Sequence, residues 1–342
     1  MINELMNIGT DFILNLPNNM LLFLSGRPQI EFDNKKLNPS LQLLASAVDM
    51  LPGFETLPVD QSRAMLEFLS EITFQKRSYS VKTEDIVILK GDSRMKARVY
   101  IPKDGKSLKP VLVYYHGGGF VLGSIKSHDQ VCRKISEAAD CIVVSPEYRL
   151  APEHTFPAAF EDAAAAFSWT QDNIQKFSGN PKRAAVGGDS AGGSLAMAVT
   201  IALKEKIKKP YYSWLIYPGT DFSRQRDSVK RYGKGLGLTK AMLDMFRDTY
   251  LPNEFDRFRY EASPVLADDF SGISSVYVSI AGFDPLYDED LALVKKLESA
   301  GIKTDYECYD SLIHGYISIT AIPECRSAFE NDIRYLRKAL HS

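Results

Sequence analysis

The sequence feature that most constrains this chain is a serine framed by glycines, between an apolar segment and an alanine-rich one. The run reads Gly187-Gly188-Asp189-Ser190-Ala191-Gly192-Gly193. The apolar residues 184–186 predict a buried strand, and residues 191–207 predict a helix. When a nucleophile sits at so sharp a strand-to-helix bend, the residues two positions before and two positions after it must have little or no side chain. Gly188 and Gly192 meet that requirement. Ser190 is therefore a candidate nucleophile.

A second glycine-rich segment follows another predicted strand. His116-Gly117-Gly118-Gly119-Phe120 comes directly after the apolar residues 111–115. Acyl transfer needs backbone N–H groups that stabilise a developing oxyanion, and glycines let the main chain approach the substrate closely. We predict that Gly118, Gly119 and Ala191 supply these donors, with Gly117 able to replace either glycine. A plain glycine-rich turn is the alternative interpretation of the segment.

Together these two motifs resemble those of the hormone-sensitive-lipase-like family of α/β-hydrolases, which includes bacterial carboxylesterases and arylacetamide-deacetylase-like enzymes. Further segments carry the same resemblance: residues 145–159, Leu215-Ile216-Tyr217-Pro218 and Ala281-Gly282-Phe283-Asp284-Pro285-Leu286. The similarity covers roughly residues 80–340, with the motifs in the family's order, and is loose over the first 75 residues. The resemblance implies an α/β-hydrolase fold and serine-hydrolase chemistry.

Serine hydrolysis requires a histidine base, since a serine hydroxyl is a poor nucleophile at neutral pH. In α/β-hydrolases the acid and then the histidine follow the serine, which leaves His314 and His341. His341 is the penultimate residue, where fraying is expected, whereas His314 follows a predicted strand. We predict that His314 is the base.

The acid that orients this histidine is predicted to be Asp284, which follows the apolar strand at 276–281 in a loop. The family resemblance implies the same residue. The competing carboxylates are Asp288, Glu289, Asp290 and Asp310. Three of them fall in the first turn of a helix predicted over about 287–300, where the helix dipole accounts for acidic residues. The resemblance further implies that Asp189 and Glu153 support the serine bend.

These assignments predict a serine carboxylesterase that works through an acyl-serine intermediate and needs no metal or organic cofactor. We expect Phe120, Tyr217 and Leu236 to line a pocket for a small hydrophobic ester. The resemblance favours short to medium acyl chains, with arylamide or acetyl deacetylation and lipase activity as alternatives. A non-catalytic relative that binds small molecules is a further alternative. A dehydrogenase is excluded because no G-x-G-x-x-G follows the first strand.

Composition limits the partners of the chain. Its 342 residues carry a formal net charge of -2, which gives no electrostatic basis for binding nucleic acid or an anionic membrane. The four cysteines are too sparse for a disulfide framework and too irregular for a zinc motif, so we predict free buried thiols and a cytoplasmic location. The oligomeric state stays open.

The predicted architecture is one α/β-hydrolase domain over residues 1–342, with a mostly parallel central sheet flanked by helices. Antiparallel strands at 85–89 and 97–101 lead into parallel strands at about 111–115, 141–145, 184–187, 212–217, 276–281 and 305–309. A last helix is predicted over about 323–340. The catalytic core spans about 80–220 and 259–342, and a helical cap comes from about 1–75 and about 221–258.

The apolar N-terminal stretch between Ile13 and Leu24 is predicted to form amphipathic helices of this cap. It has no basic region before it, Pro17 interrupts it, and it is too short for a membrane span. Peripheral membrane contact is the alternative interpretation. Gly233-x-Gly235-x-Gly237 in the insert lacks the strand and the lysine of a nucleotide-binding loop, and is predicted to be a mobile loop.

Overall fold

The centre of the protein is a mostly parallel sheet. The computed structural model describes residues 13, 16–75, 77–91, 93–103 and 108–342. A small antiparallel hairpin comes first, with strands β1 (Glu31–Phe32) and β2 (Lys35–Lys36). The strands of the large sheet are β3 (Val81–Lys90), β4 (Ser93–Pro102), β5 (Lys109–Tyr115), β6 (Ile142–Pro146), β7 (Gly179–Asp189), β8 (Ser213–Ile216), β9 (Val276–Phe283) and β10 (Thr304–Ile313).

The order of the strands in this sheet is β10-β9-β8-β7-β5-β6-β4-β3 in the described part of the chain. Strand β4 runs antiparallel to both β3 and β6, whereas β6, β5, β7, β8, β9 and β10 all run parallel to one another. The predicted α/β-hydrolase architecture is confirmed, and each predicted strand is present. The strand predicted at 184–187 is longer than expected, because it begins at Gly179.

Helices cover the sheet and connect its strands. They are α1 (Asn18–Ser25), α2 (Pro39–Val48), α3 (Val59–Thr73), α4 (Asp129–Ala139), α5 (Ala158–Asn173), α6 (Ala191–Leu203), α7 (Asp227–Tyr232), α8 (Lys240–Tyr250), α9 (Tyr287–Ser299) and α10 (Pro323–His341). Short 3₁₀ helices lie at Phe54–Thr56, Ile174–Phe177, Glu254–Phe258, Pro264–Leu266 and Tyr316–Ser318.

Both faces of the sheet are buried, which is why its central strands are almost continuously apolar. Successive side chains of a strand point to opposite faces. In β5, Val111 and Val113 belong to one apolar cluster, whereas Leu112 and Tyr114 belong to the other. The helices on each side complete these two clusters, so the sheet is held rigidly between two layers of helix.

The N-terminal part of the chain forms helices, as the apolar stretch predicts. Helix α2 begins where the Asn38 side chain accepts hydrogen bonds from the N–H groups of Ser40 and Leu41, with Pro39 at its first position. Residues 1–12 and 14–15 of the predicted N-terminal helices lie outside the described residues. None of the helices within the described ranges is long and apolar enough to cross a membrane.

Helix α6 ends at Leu203, four residues before the predicted end at Ile207. The Ile207 side chain is fully exposed, so no buried contact stabilises a further turn. The insert predicted between residues 221 and 252 is present as α7 and α8, joined by the loop that holds Gly235 and Gly237. Both glycines have positive φ, of 72° and 87°, which explains the residue type at these positions.

The predicted functional residues lie together at one edge of the sheet. His116 follows β5, Ser190 follows β7, Asp284 follows β9 and His314 follows β10. These strands all point in the same direction, so their carboxyl ends meet at that edge.

Candidate active site

Ser190 occupies the bend between β7 and α6 in a backbone conformation that non-glycine residues rarely adopt. Its φ and ψ are 54° and -123°. A Cβ atom at Gly188 or at Gly192 would collide with the main-chain oxygen of Tyr115. The predicted need for glycine on both sides of the serine is therefore explained by the close approach of strand β5.

Two glycines with positive φ shape the glycine loop after β5. Gly118 has a φ of 125° and Gly119 a φ of 61°. A Cβ at Gly118 would collide with the carbonyl oxygen of Leu122. The N–H groups of Gly118, Gly119 and Ala191 have no acceptor among the described residues, and all three residues line one cavity with Ser190. Free N–H groups beside a serine are what an oxyanion site requires.

The carboxylate of Asp189 joins the glycine loop to the serine bend. Its Oδ1 accepts hydrogen bonds from the Gly117 N–H at 2.9 Å and from the Tyr114 hydroxyl at 2.5 Å. His128 Nε2 lies 3.4 Å from the same oxygen. Although burial alone would raise the pKa of Asp189, these neighbours hold it below its usual value, so the carboxylate stays ionised. Asp189 supports the bend as the family resemblance implies.

His116, the first residue of the glycine-loop motif, has a structural environment and is fully buried. Its ring stacks on Tyr148 with 4.3 Å between centroids. Complete burial, together with nearby His128, lowers the pKa of His116 to about 3. The neutral ring fixes the start of the glycine loop through its contact with the Gly117 carbonyl oxygen at 2.8 Å.

His314 lies between Ser190 and Asp284. Its Nε2 is 2.9 Å from Ser190 Oγ, and its Nδ1 is 2.7 Å from Asp284 Oδ2. The other oxygen of Asp284 accepts a hydrogen bond from the Leu286 N–H at 2.8 Å, and the carboxylate is fully buried. The competing histidine, His341, instead places its Nε2 3.0 Å from the carbonyl oxygen of Ala139.

The other candidate carboxylates have different partners. Asp288 accepts hydrogen bonds from the Ser228 N–H at 2.7 Å and from Arg231 at 2.6 Å, and Asp310 pairs with Lys35 at 2.8 Å. Glu289 accepts a hydrogen bond from the Thr220 N–H. Asp290 is buried, with no hydrogen-bond partner among the described residues, and burial raises its pKa well above the usual value. Among the described carboxylates, Asp284 alone contacts His314.

A cavity of about 360 Å³ opens onto Ser190, His314 and the glycine loop. Most of its wall is apolar, and much of it comes from helices α2, α3 and α8. The apolar wall includes Leu44, Ala45 and Val48 of α2, Leu66 and Leu69 of α3, Met242, Leu243 and Phe246 of α8, and Phe120, Phe222 and Leu238. A polar part of the wall carries Asp221, Arg224, Gln225, Asp244, Arg247 and Arg257.

Helix α8 packs directly on the glycine loop. A Cβ at Gly119 would collide with the ring of Phe246. The Phe120 ring stacks on Tyr250 with 4.0 Å between centroids and 4° between ring planes. The two aromatic contacts fix the loop and the helix relative to each other.

Comparison with known proteins assigns the family. A model of the alpha/beta hydrolase fold matches residues 112–318. The chain is 36% identical over 338 residues to the carboxylic ester hydrolase LipN of Mycobacterium tuberculosis, which covers 96% of this chain and 89% of that protein. The chain belongs to the hormone-sensitive-lipase-like family of α/β-hydrolases.

Other relatives of this hydrolase are also esterases. It is 33% identical over 299 residues to an ethyl acetate hydrolase of Pseudomonas putida, which covers 85% of this chain and 94% of that protein. An ester hydrolase from the metagenome of Lake Arreo superimposes with a TM-score of 0.83 at 37% identity, covering 88% of this chain and 97% of that one. The hydrolase is thus an enzyme of the carboxylesterase class.

Three predicted site residues of this hydrolase have different surroundings from those expected. The Gly117 N–H donates to Asp189, so Gly117 is not a free donor. Tyr217 is fully buried beside the cavity, where its ring lies 4.6 Å from that of His314. Leu236 packs into the core, and its neighbours Gly237 and Leu238 line the cavity instead. Phe120 lines the cavity.

Glu153 does not contact the serine bend. Its carboxylate forms a two-fold hydrogen bond with Arg63 of α3, at 2.8 Å to each guanidinium nitrogen. Arg63 also donates to the carbonyl oxygens of Val121 and Ala151. The ion pair between Glu153 and Arg63 therefore connects helix α3 to the segment that follows the glycine loop.

Sequence reasoning missed Arg63, Phe246 and Tyr250. Each acts through a partner far away in the chain, so spacing and periodicity carry no signal for it. All four cysteines are free, as predicted, but Cys308 is partly exposed, whereas Cys132, Cys141 and Cys325 are buried.

Proposed function

We propose that this carboxylesterase uses Ser190 as its nucleophile, His314 as its general base and Asp284 as the acid that orients His314. The hydrogen-bond chain from Asp284 Oδ2 through His314 to Ser190 Oγ carries the proposal. His314 accepts the proton of the Ser190 hydroxyl while the oxygen attacks the ester carbonyl carbon. The tetrahedral intermediate then expels the alcohol, which takes the proton from His314, and leaves an acyl-serine.

Deacylation repeats these steps with water. His314 removes a proton from a water molecule as that water attacks the acyl carbon, and then returns the proton to Ser190 as the acid is released. The oxyanion of both intermediates is held by the N–H groups of Gly118, Gly119 and Ala191. Their free N–H groups support this assignment, and the engagement of Gly117 with Asp189 is the reason for leaving it out.

Helices α2, α3 and α8 form the cap of this single hydrolase domain. Helices α2 and α3 cover the cavity from one side and α8 from another, which supports cap segments at about 1–75 and about 221–258. The core at about 80–220 and 259–342 carries the reacting groups. By excluding water, the cap strengthens the electrostatic stabilisation of the oxyanion.

The substrate class is carboxylic esters with short to medium acyl chains. A cavity of about 360 Å³ is near the lower end of the range for ligand pockets, and its wall is mostly apolar. A relative named for ethyl acetate supports a small substrate. We expect no long-chain lipase activity, and a cytoplasmic location stays a prediction.

Turnover of p-nitrophenyl esters from acetyl to palmitoyl tests this function. We expect kcat/KM to peak at short or medium acyl chains and to fall for longer ones that exceed the cavity. A maximum at palmitoyl would contradict the acyl-length assignment. No turnover by the folded protein would favour a non-catalytic relative that only binds small molecules.

Asp284→Asn is expected to lower kcat by about 10⁴-fold, because an amide cannot stabilise the imidazolium form of His314. The matched control is Asp288→Asn, four residues away, which removes the charge paired with Arg231 but does not touch His314. We expect that control to stay within about threefold of the native kcat. The check is steady-state hydrolysis of p-nitrophenyl acetate, and a larger loss in Asp288→Asn would overturn the assignment of the acid.

A further inference from the structure

A buried carboxylate on the last helix accepts hydrogen bonds from three tyrosines. Asp332 of α10 is fully buried. Its Oδ1 accepts from the hydroxyls of Tyr277 and Tyr309, each at 2.7 Å, and its Oδ2 accepts from Tyr316 at 2.5 Å. We refer to Asp332, Tyr277, Tyr309 and Tyr316 as the tyrosine–aspartate cluster. It lies outside the cavity that holds Ser190.

The cluster reaches the active site through Tyr316, which stands two residues after His314. The Tyr316 ring packs edge-on against Tyr217, with 5.1 Å between centroids, and Tyr217 in turn packs against the His314 ring. The Tyr316 hydroxyl is also 2.5 Å from Ser279 Oγ of β9. The loop that carries His314 is thus attached from behind to the sheet and to the last helix.

The chain around His314 needs such an attachment. Gly315 has a φ of 81°, and no described atom outside its two chain neighbours lies within 4 Å of the position that a Cβ would take there. Packing at Gly315 therefore does not hold the backbone. On its far side the loop is held by the Thr73 hydroxyl, which donates to the Ser318 carbonyl oxygen at 2.9 Å. After His314, the first side-chain hydrogen bond among the described residues comes from the Tyr316 hydroxyl.

Apolar packing could replace this buried carboxylate without loss of stability, so we take the cluster to serve geometry. Its hydrogen bonds to the carboxylate come from hydroxyl groups in the described part of the chain, and no described basic residue pairs with it. Burial raises the pKa of Asp332 to about 7, although the tyrosine hydroxyls lower it. Apolar side chains would fill the same space without the free-energy cost of burying a carboxylate. Hydrogen bonds to a carboxylate, however, fix the orientation of the tyrosine side chains.

We propose that Tyr316 and Asp332 are positioning residues of the esterase reaction, and that the hydrogen bond between them keeps His314 Nε2 within reach of Ser190 Oγ. The inference rests on the proposed function of Ser190 and His314. This hydrogen bond affects the chemical step and not substrate binding, because neither side chain lines the cavity.

The test is Tyr316→Phe, which keeps the ring against Tyr217 and removes only the hydroxyl. We expect kcat for p-nitrophenyl acetate to fall about 10-fold, because a small displacement of a catalytic group has large kinetic effects. KM should change less than twofold. Inactivation by an organophosphonate should slow by a similar factor, since that reaction uses the same serine and base.

Two control variants separate positioning from stability. Tyr335 lies on the same helix as Asp332. Tyr335→Phe removes a hydrogen bond to the Glu307 carboxylate at 2.7 Å and should leave both kcat and the melting temperature near the native values. Tyr277→Phe removes a bond to Asp332 from a strand that does not carry His314. It should lower the melting temperature, though less than Tyr316→Phe, whose hydroxyl also contacts Ser279, and it should change kcat less than twofold.

The outcomes distinguish this inference from the proposed function. Absent native turnover, or turnover that survives Ser190→Ala, would overturn the proposed function. Native turnover that requires Ser190, together with an unchanged kcat in Tyr316→Phe, would overturn the positioning role alone. An equal loss of kcat in Tyr277→Phe would do the same. Should Tyr316→Phe not fold, Asp332→Leu removes the acceptor of the same bond with a side chain of similar size, and an unchanged kcat there would also overturn the role.

Discussion

Replacing Ser190 by alanine is expected to abolish ester hydrolysis while the fold is retained. The Ser190 hydroxyl is the group that forms the acyl intermediate, and no other described hydroxyl lies within hydrogen-bond distance of His314. Loss of a serine nucleophile lowers kcat by about 10⁶-fold in enzymes of this mechanism. The measurement is release of p-nitrophenol from the acetyl ester at saturating substrate, with thermal unfolding as the check on folding.

Ser194→Ala is the matched control for this variant. Ser194 lies one turn further along α6, is as deeply buried as the core around it, and its Oγ has no hydrogen-bond partner within the described ranges. Its hydroxyl can be removed without leaving an unpaired group behind. We expect native activity from Ser194→Ala, and activity retained in Ser190→Ala would refute the assignment of the nucleophile.

Replacing His314 by alanine is expected to lower kcat about as far as loss of the serine, by about 10⁶-fold, because these residues act as a unit. Without the imidazole, the Ser190 hydroxyl keeps its proton and the leaving alcohol receives none. KM should change little by comparison. The measurement is the same ester assay, and intact folding would be checked by circular dichroism.

His341→Ala provides the comparison for the base. His341 contacts the Ala139 carbonyl oxygen at the end of the last helix, far along the chain from the serine bend. Loss of this contact should leave kcat within about twofold of the native value and lower stability slightly. Similar losses of kcat at positions 314 and 341 would show that the base has been assigned wrongly.

The parts of the site that follow from local chain geometry were predictable from the sequence. Gly188 and Gly192 are required by a bend whose shape depends on residues within a few positions. Asp284 and His314 were predicted because each follows a predicted strand, and because the acid and then the histidine follow the serine along the chain of α/β-hydrolases. The fold follows for the same reason, since buried parallel strands produce continuous apolar runs.

The parts that depend on distant packing were not predictable. Tyr217 and Leu236 are apolar enough for a pocket, but the sequence does not reveal which side of the chain faces the cavity. The cavity wall is formed by residues as far apart in sequence as Leu44 and Phe246. Likewise, the glycine pattern cannot distinguish Gly117 from its neighbours, since only the Asp189 carboxylate removes its N–H from use.

Because Phe246 packs against Gly119, residues of the pocket wall differ in how their substitution would affect catalysis. Some contact the glycine loop and others do not. Trimming Phe246 to widen the pocket would also loosen the loop that presents the oxyanion donors, so capacity for bulky substrates and catalytic rate would trade against each other there. Leu44 and Val48 line the same cavity from α2, a helix without that contact. We therefore expect substitutions on the N-terminal side of the pocket to broaden the substrate range with less effect on turnover than substitutions at Phe246.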